Sequence, residues 1–414
     1  MFNFLHLSPL EWIFPYMNTV ISRFLSACFI ILFCCFSHVI VAEDRFTIEQ
    51  VSNALHAPSL EGKFPEYLKF DQFGYAEVDY TLDAGLHDEI AKIYRRYSPD
   101  YASFVAIDPD TGAILSLSSY MREEDWSHNL ALGATYPAAS VFKIVSAAAA
   151  LDTKQMTLDS VIPFNGKSTT LYKRQILKHK DNKYTRRPTF KKAFAKSSNP
   201  VFGRVGIEKI GRDGMMNYAG QFGFGKNVVQ DLPVQPSQFN LPLEEEWELA
   251  EAASGFTRDI LLGPIHAAAF AASILNGGEM YAPYVVNKIH DKNGSILYNS
   301  KPQVLGSTVN SSTAKDLLAM MRETVRTGSA RKAFRKASRY SAYRDADFGG
   351  KTGSLTGYSP HGRYDWFVGF GERHGKRIAY ASLIINKEKW YVRSSQVAFE
   401  VLNYYFKRSS EKDS

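Results

Sequence analysis

Residues 140–151 read Ser-Val-Phe-Lys-Ile-Val-Ser-Ala-Ala-Ala-Ala-Leu. The run is alanine-rich and uninterrupted by glycine or proline, which makes it a strong helix former. Pro137 just upstream marks the turn into it, so Ser140 falls near the helix N-terminus, where the dipole favours developing negative charge. Ser140 and Lys143 are three apart and share one helix face. A serine hydroxyl is a poor nucleophile unless a neighbouring base takes its proton. A lysine can serve as that base when burial and nearby cations lower its pKa, because desolvation disfavours the ammonium form.

Outward from this helix the pattern turns to strands at both ends. Before it come a strand from Ala76 (AEVDYTL), a helix over Ala84–Tyr97, and two strands, Ser103–Asp108 and Ala113–Ser118. The last two flank the turn Asp108-Pro-Asp-Thr-Gly112. After it come helices over Thr189–Ala195, Val205–Phe222 (broken at glycines), Pro264–Leu275 and Ser312–Val325. The chain then returns to strands at Gly349–Leu355, Trp366–Phe370 and Ile378–Ile385, and closes with a helix over Arg393–Phe406. This order predicts an α+β fold: one antiparallel sheet completed by N- and C-terminal segments, flanking helices, and an inserted all-helical lobe over about 139–260. The site is expected where lobe and sheet meet.

The composition is that of ordinary globular protein. The 414 residues are 45% hydrophobic, 22% charged and 14% aromatic, which argues against disorder. All three cysteines lie in the apolar stretch 24–42 (FLSACFIILFCCFSHVIVA), so no disulfide framework or cysteine metal site is available beyond it. That stretch follows Arg23 and reads as a signal peptide or a membrane anchor over residues 1–42. Residues 43–75 read as a short polar arm with a helix around Phe46–His56, and 76–410 as the main domain. The ten histidines show no metal-ligand spacing, and no cofactor is expected. His361 and Tyr358 read as surface residues and Trp366 as core.

Two further short strings carry chemistry. Ser197-Ser-Asn199 lies 57 residues after Ser140 and supplies a second hydroxyl and a carboxamide, one able to relay a proton and the other to hold a peptide backbone. Lys351-Thr352-Gly353-Ser354, read as opening a strand, supplies a cation and hydroxyls for a carboxylate. Gly353 lets the strand edge approach a peptide closely. The backbone N–H groups of Ser140 and Ser354 form a natural oxyanion pair. Each string alone is common; the three together, in this order and on helix, loop and strand, are improbable by accident.

With these motifs the chain resembles the transpeptidase domain of penicillin-binding proteins over roughly Ala76–Lys407. Gly133-Ala-Thr-Tyr-Pro-Ala-Ala-Ser140, Ser198-Asn-Pro-Val-Phe202, Leu262-Gly-Pro-Ile-His-Ala-Ala268, Leu275-Asn-Gly-Gly278 and Asp365-Trp-Phe-Val-Gly369 extend the likeness. The resemblance implies acylation of Ser140 by a D-Ala-D-Ala stem peptide, transfer to an acceptor amine, and trapping of the acyl-enzyme by β-lactams. Ser140, Lys143 and Ser197 would be catalytic; Asn199, Lys351, Thr352, Gly353 and Ser354 would bind substrate. About 30 residues separate the apolar stretch from the domain. That leaves no room for a glycosyltransferase domain or a large pedestal, so transpeptidation alone is expected, with glycan polymerised by a separate protein.

Two alternatives remain. A serine β-lactamase or D,D-carboxypeptidase would hydrolyse the same acyl-enzyme, but the long interval between the second and third motifs and the lack of a Glu-x-x-x-Asn segment there favour transfer. A non-catalytic β-lactam sensor or wall scaffold is disfavoured by the absence of a signalling domain. The net charge of +7 is concentrated: Lys167–Lys196 holds eleven Lys and Arg against one acid, Asp181. This block is expected near the cleft, either on anionic wall polymer or lipid headgroups or as a solvated loop. Arg322–Arg344 is a second basic region with the same two readings. The export stretch argues against a nucleic-acid partner and for a periplasmic or otherwise extracytoplasmic location, anchored to the inner membrane by residues 24–42 if that stretch is retained.

Overall fold

Along the strand Lys376–Asn386, alternate side chains enter different cores: Ala379, Ala381, Leu383 and Ile385 face one way, Ile378, Tyr380 and Ile384 the other, and all are buried. A strand apolar on both faces needs cover on both. The computed structural model, which describes residues 44–71, 73–123 and 129–411, supplies it. The 24–42 stretch and the three cysteines lie outside the described residues. Among the described residues, no helix is long and apolar enough to cross a membrane.

The elements run in chain order as follows. First come α1 (Ile48–Leu60), β1 (Tyr67–Phe70), β2 (Gly74–Tyr80), α2 (Ala84–Tyr97), β3 (Tyr101–Ile107) and β4 (Ile114–Met121). The lobe holds α3 (Lys143–Asp152), α4 (Lys173–Leu177), α5 (Phe190–Ala195), α6 (Asn199–Val205), α7 (Gly211–Gln221) and α8 (Glu246–Ser254). Short strands β5 (Tyr136–Pro137), β6 (Gln238–Phe239) and β7 (Ile260–Leu262) pair at its base in the order β5-β7-β6. Then come α9 (Pro264–Leu275), β8 (Glu279–Tyr281), β9 (Val286–His290), β10 (Ile296–Asn299), β11 (Val304–Ser307), α10 (Ser311–Arg326), α11 (Arg331–Phe334), β12 (Asp347–Tyr358), β13 (His361–Arg373), β14 (Lys376–Asn386) and α12 (Ser394–Glu411).

The main sheet is antiparallel, in the order β12-β13-β14-β3-β4, so the N- and C-terminal segments meet where β14 pairs with β3. One face carries α2 and α12; the other carries α9, every residue of which is buried. A helix apolar all round belongs in such an interior. The α+β architecture anticipated from the order of elements is the one observed. β12 is an edge strand: one side pairs with β13, and the other borders the lobe.

Three features depart from the sequence reading. The helix expected around Phe46–His56 is α1, with a Thr47–Gln50 capping box, but the rest of the expected polar arm is not free: it forms β1, paired with β2. β2 continues through β9 to β10, some 200 residues later, forming a second sheet. Its strands are short, and their partner is remote, so neither half signals the pairing locally. The helix expected from Ser140 begins instead as a 3₁₀ turn, Ala139–Phe142, with regular α-helix only from Lys143. The helix expected over 205–222 with breaks at glycines has its break as a π-turn at Gly206–Ile210, but its N-terminal part starts back at Asn199, in α6.

Candidate functional site

The 3₁₀ turn brings Ser140 and Lys143 together. With three residues per turn, positions i and i+3 eclipse, and Lys143 Nζ lies 2.9 Å from Ser140 Oγ. The turn starts from a left-handed residue that is not glycine, Ala139 at φ +49°. Such backbone costs about 1–3 kcal/mol and persists only where surroundings enforce it.

Gly255 is part of those surroundings. It caps α8 at φ +61°, and a Cβ there would sit 1.9 Å from the Ala139 carbonyl oxygen and 3.3 Å from the Ser140 nitrogen. On the other flank Gly353 of β12 closes on the turn: a Cβ would lie 3.0 Å from Val141 Cγ2 and 3.2 Å from the Ala138 oxygen. Trp366 is fully buried and donates from Nε1 to the Pro137 oxygen at 3.0 Å, tying β13 to the approach.

Lys143 is fully buried on a helix whose other residues are alanine or aliphatic apart from Ser146 and Asp152. Its Nζ meets Ser140 Oγ, Asn199 Oδ1 at 2.7 Å and the Ser254 carbonyl. Burial, with the Lys351 charge adding to it, holds Lys143 well below the usual lysine range. A neutral amine has two N–H donors and one lone pair. Asn199 Oδ1 and the Ser254 carbonyl take the donors, leaving the lone pair for the Ser140 hydroxyl.

Ser197 stands where helices usually place glycine. α5 ends in a Schellman motif, with Ser198 N–H donating to the Ala193 oxygen and Ser197 N–H to the Phe194 oxygen, both at 2.9 Å. Ser197 is the left-handed residue of that motif, at φ +55°. Its Oγ accepts from Lys351 Nζ at 2.9 Å, and Lys351 also donates to the Thr352 oxygen at 2.8 Å. Lys351 is fully buried, and burial lowers it to about 7. It is the fifth residue of β12 rather than the start of a strand, because pairing with β13 runs back to Asp347.

Ser140, Ser197, Asn199, Thr352, Gly353 and Ser354 line one cleft of about 1170 Å³, with Lys143 and Lys351 buried behind it. All eight residues singled out from sequence are thus brought together. Asn199 has both ends of its carboxamide engaged, Oδ1 by Lys143 and Nδ2 donating to the Thr169 oxygen at 3.0 Å. As it stands it orients the lysine. Asn199→Ala is therefore expected to slow acylation of Ser140 by about ten- to a hundredfold, the ~1.5–3 kcal/mol of one hydrogen bond to the ammonium that Lys143 becomes as it takes the proton. Stopped-flow labelling with a chromogenic penicillin checks it.

Ser254, Gly255, Ser329 and Arg363 escaped the sequence reading. Ser329 Oγ lies 2.5 Å from Thr352 Oγ1, and Arg363 Nε donates to Ser354 Oγ at 2.9 Å. Only the Ser-Gly end of the Glu246–Ser254 helix was available as a signal, and it reads as an ordinary C-cap. The basic block expected near the cleft lies largely elsewhere: of 167–196, only Thr169 and Lys196 line the cleft, and Lys196 donates to the Thr327 carbonyl. Arg187 and Lys173 of that block pair with Asp181 and Glu245. The cations that line the cleft come mainly from elsewhere, Lys332, Arg335 and Lys336 among them.

Comparison with known proteins adds an independent observation. The family model for the penicillin binding protein transpeptidase domain matches residues 102–404. Stage V sporulation protein D of Bacillus subtilis is 25% identical over 288 residues, 67% of this chain and 43% of that protein. Peptidoglycan D,D-transpeptidase PbpA of Mycobacterium tuberculosis is 26% identical over 329 residues, 70% of this chain and 63% of that protein. The chain thus spans less than two thirds of the length of these relatives. Penicillin-binding protein A of M. tuberculosis, solved as its penicillin G acyl-enzyme complex, superposes with a TM-score of 0.62 at 22% identity, covering 80% of this chain and 81% of that one.

Proposed function

The chain belongs to the penicillin-binding protein transpeptidase family, and from that premise we propose that it is a peptidoglycan D,D-transpeptidase working through an acyl-enzyme on Ser140. The observation that carries the reading is a pair of lysine–serine contacts in one cleft, Lys143–Ser140 and Lys351–Ser197, each at 2.9 Å.

In the first half-reaction Ser140 Oγ attacks the carbonyl carbon of the penultimate D-alanine. The C–Oγ bond forms and the C–N bond to the terminal D-alanine breaks. The hydroxyl proton passes to neutral Lys143 and reaches the departing amine by way of Ser197. In the second half-reaction an acceptor amine attacks the ester carbon. A new C–N bond forms, C–Oγ breaks, and the amine proton returns to Ser140 Oγ. The N–H groups of Ser140 and Ser354 would hold the oxyanion in both steps.

Protonated Lys351, with the Thr352 and Ser354 hydroxyls, would draw the terminal carboxylate of the donor. The free edge of β12 offers backbone groups to an added peptide strand. A β-lactam follows the first half-reaction, but its cleaved amide nitrogen stays tethered. The same reading gives residues 24–42 the role of signal or anchor and places the described body outside the cytoplasm.

Among the described residues lining the cleft, the sole carboxylate is Asp365, which accepts from Ser394 N–H at 2.9 Å and pairs with Arg393. It is not free to activate a deacylating water. This favours transfer to an amine over hydrolysis. The test is the lifetime of the penicillin acyl-enzyme followed by mass spectrometry: hours are expected, and turnover within seconds would sink the transpeptidase reading in favour of a β-lactamase.

A further inference from the structure

The cleft does not end at the two serines. Side chains alternate along a strand, so Thr352, Ser354 and Thr356 of β12 share a face with Arg363 and Asp365 of β13, opposite the face that holds Lys351. The cleft continues over this hydroxyl-bearing face into a basin. One wall is α11 with the turn that follows, which presents Lys332, Arg335 and Lys336. All three are exposed, and none forms an ion pair among the described residues. On the preceding helix, by contrast, Arg322 is held by Asp347 and Arg326 by Glu323. Among the described residues, the one carboxylate on the basin wall, Asp365, is 5% exposed and already engaged. Ser329 opens this segment and touches Thr352, so the basin is continuous with the carboxylate end of the site.

We propose that this basin binds the second peptide strand of the reaction, the one that brings the attacking amine, through two or more carboxylates on that strand. The inference rests on the transpeptidase reading above. Chemistry sets its side of the cleft. The leaving D-alanine departs past Thr352 and Ser354, and its amine leaves one face of the carbonyl. The acceptor amine makes the reverse bond at the same carbon, so it occupies the volume just vacated, which opens onto the basin.

The charge on the wall sets the complement. Lys332 lies three and four positions before Arg335 and Lys336, and all three line one wall, Lys332 from α11 and the other two from the turn that follows. Side chains on one face of an extended peptide repeat every ~6.6 Å. Arg335 can take a carboxylate with two parallel hydrogen bonds.

The probe is a dansyl-labelled Ala-Glu-Lys-Glu peptide with free carboxylates, beside a counterpart with every carboxyl amidated. Both are titrated by fluorescence anisotropy into the full chain already acylated by penicillin, so the donor side is filled. The free-acid peptide is expected to bind the wild type roughly tenfold or more tightly than it binds the Lys332→Ala/Arg335→Ala/Lys336→Ala variant, the scale of several solvent-exposed ion pairs acting together. The amidated peptide should bind both equally weakly. Raising ionic strength from about 0.05 to about 0.5 M should erase the difference.

Equal binding of the free-acid peptide to both proteins overturns the proposal. So does tighter binding of inorganic tripolyphosphate than of the peptide, which would assign the basin to phosphate polymer. A glutamine triple variant with an unchanged thermal melt separates lost charge from lost fold. If penicillin fails to acylate Ser140, it is the transpeptidase reading that fails. The peptide titration then runs on the unmodified chain and still reports on the basin.

Discussion

Covalent labelling by a fluorescent penicillin is expected to vanish in Ser140→Ala and to slow by about 10²–10⁴-fold in Lys143→Ala, the range of a positioned general base. Ser140 is the nucleophile in this reading, so its loss leaves no bond to form. Lys143→Ala keeps the hydroxyl but removes the lone pair 2.9 Å away. The wild-type rate should also carry the signature of two depressed lysines. It rises with pH as Lys143 becomes the free base, and falls above about 7 as Lys351 loses the charge that draws the carboxylate.

Lys143→Ala should abolish the acid limb and leave the limb near 7. Lys143→Met fills the same volume without a base, so a folded methionine variant that labels at the wild-type rate would exclude Lys143 from proton transfer. Stability shifts the opposite way from simple acid tolerance. Between the folded values and the ordinary lysine range, the unfolded chain binds protons that the buried amines refuse. These two groups therefore add stability as pH rises through that window, and subtract it as pH falls toward 7.

Local chemistry at three points makes this site legible in the sequence. Lys143 is the one basic residue in an alanine-rich helix, and Ser140 sits one turn before it; that much is written within four residues. The order of strands and helices likewise carried the sheet, because β3 and β14 each bury a run that is apolar but for one serine. The supports of the site were not legible, since they act across long separations. The Ser254 carbonyl reaches Lys143 from 111 positions away, and Ser329 reaches Thr352 from another element.

Backbone strain was hidden for another reason: Ala139 and Ser197 adopt conformations that their side chains disfavour, so composition argues against what the fold imposes. Charge misled about place. The denser basic block, 167–196, lies largely away from the cleft, while the sparser one at 332–336 lines it. Density along the chain measures how many cations are near one another in sequence, and only folding decides which face they share.

Gly255→Ala gives the second large effect, and it comes from a residue with no reactive group. Its φ of +61° costs an alanine about 1–2 kcal/mol by itself. The larger consequence is geometric, because the new Cβ would lie 1.9 Å from the Ala139 carbonyl oxygen and must push that carbonyl away. Ala139 is bonded to Ser140, so the nucleophile moves with it. A displacement near 1 Å at a reacting atom costs about a hundredfold.

Penicillin labelling of Gly255→Ala is thus expected to fall about 10²-fold or more. Gly62→Ala separates the two contributions: Gly62 has a similar φ of +71°, but no atom lies within 4 Å of its Cβ position. That control should lose the left-handed penalty in thermal stability and label at the wild-type rate. If Gly255→Ala also labels at the wild-type rate while melting lower, as Gly62→Ala does, then the α8 cap stabilises the lobe without positioning Ser140. The strained turn at Ala139 would then have to be held by β12 alone, through Gly353.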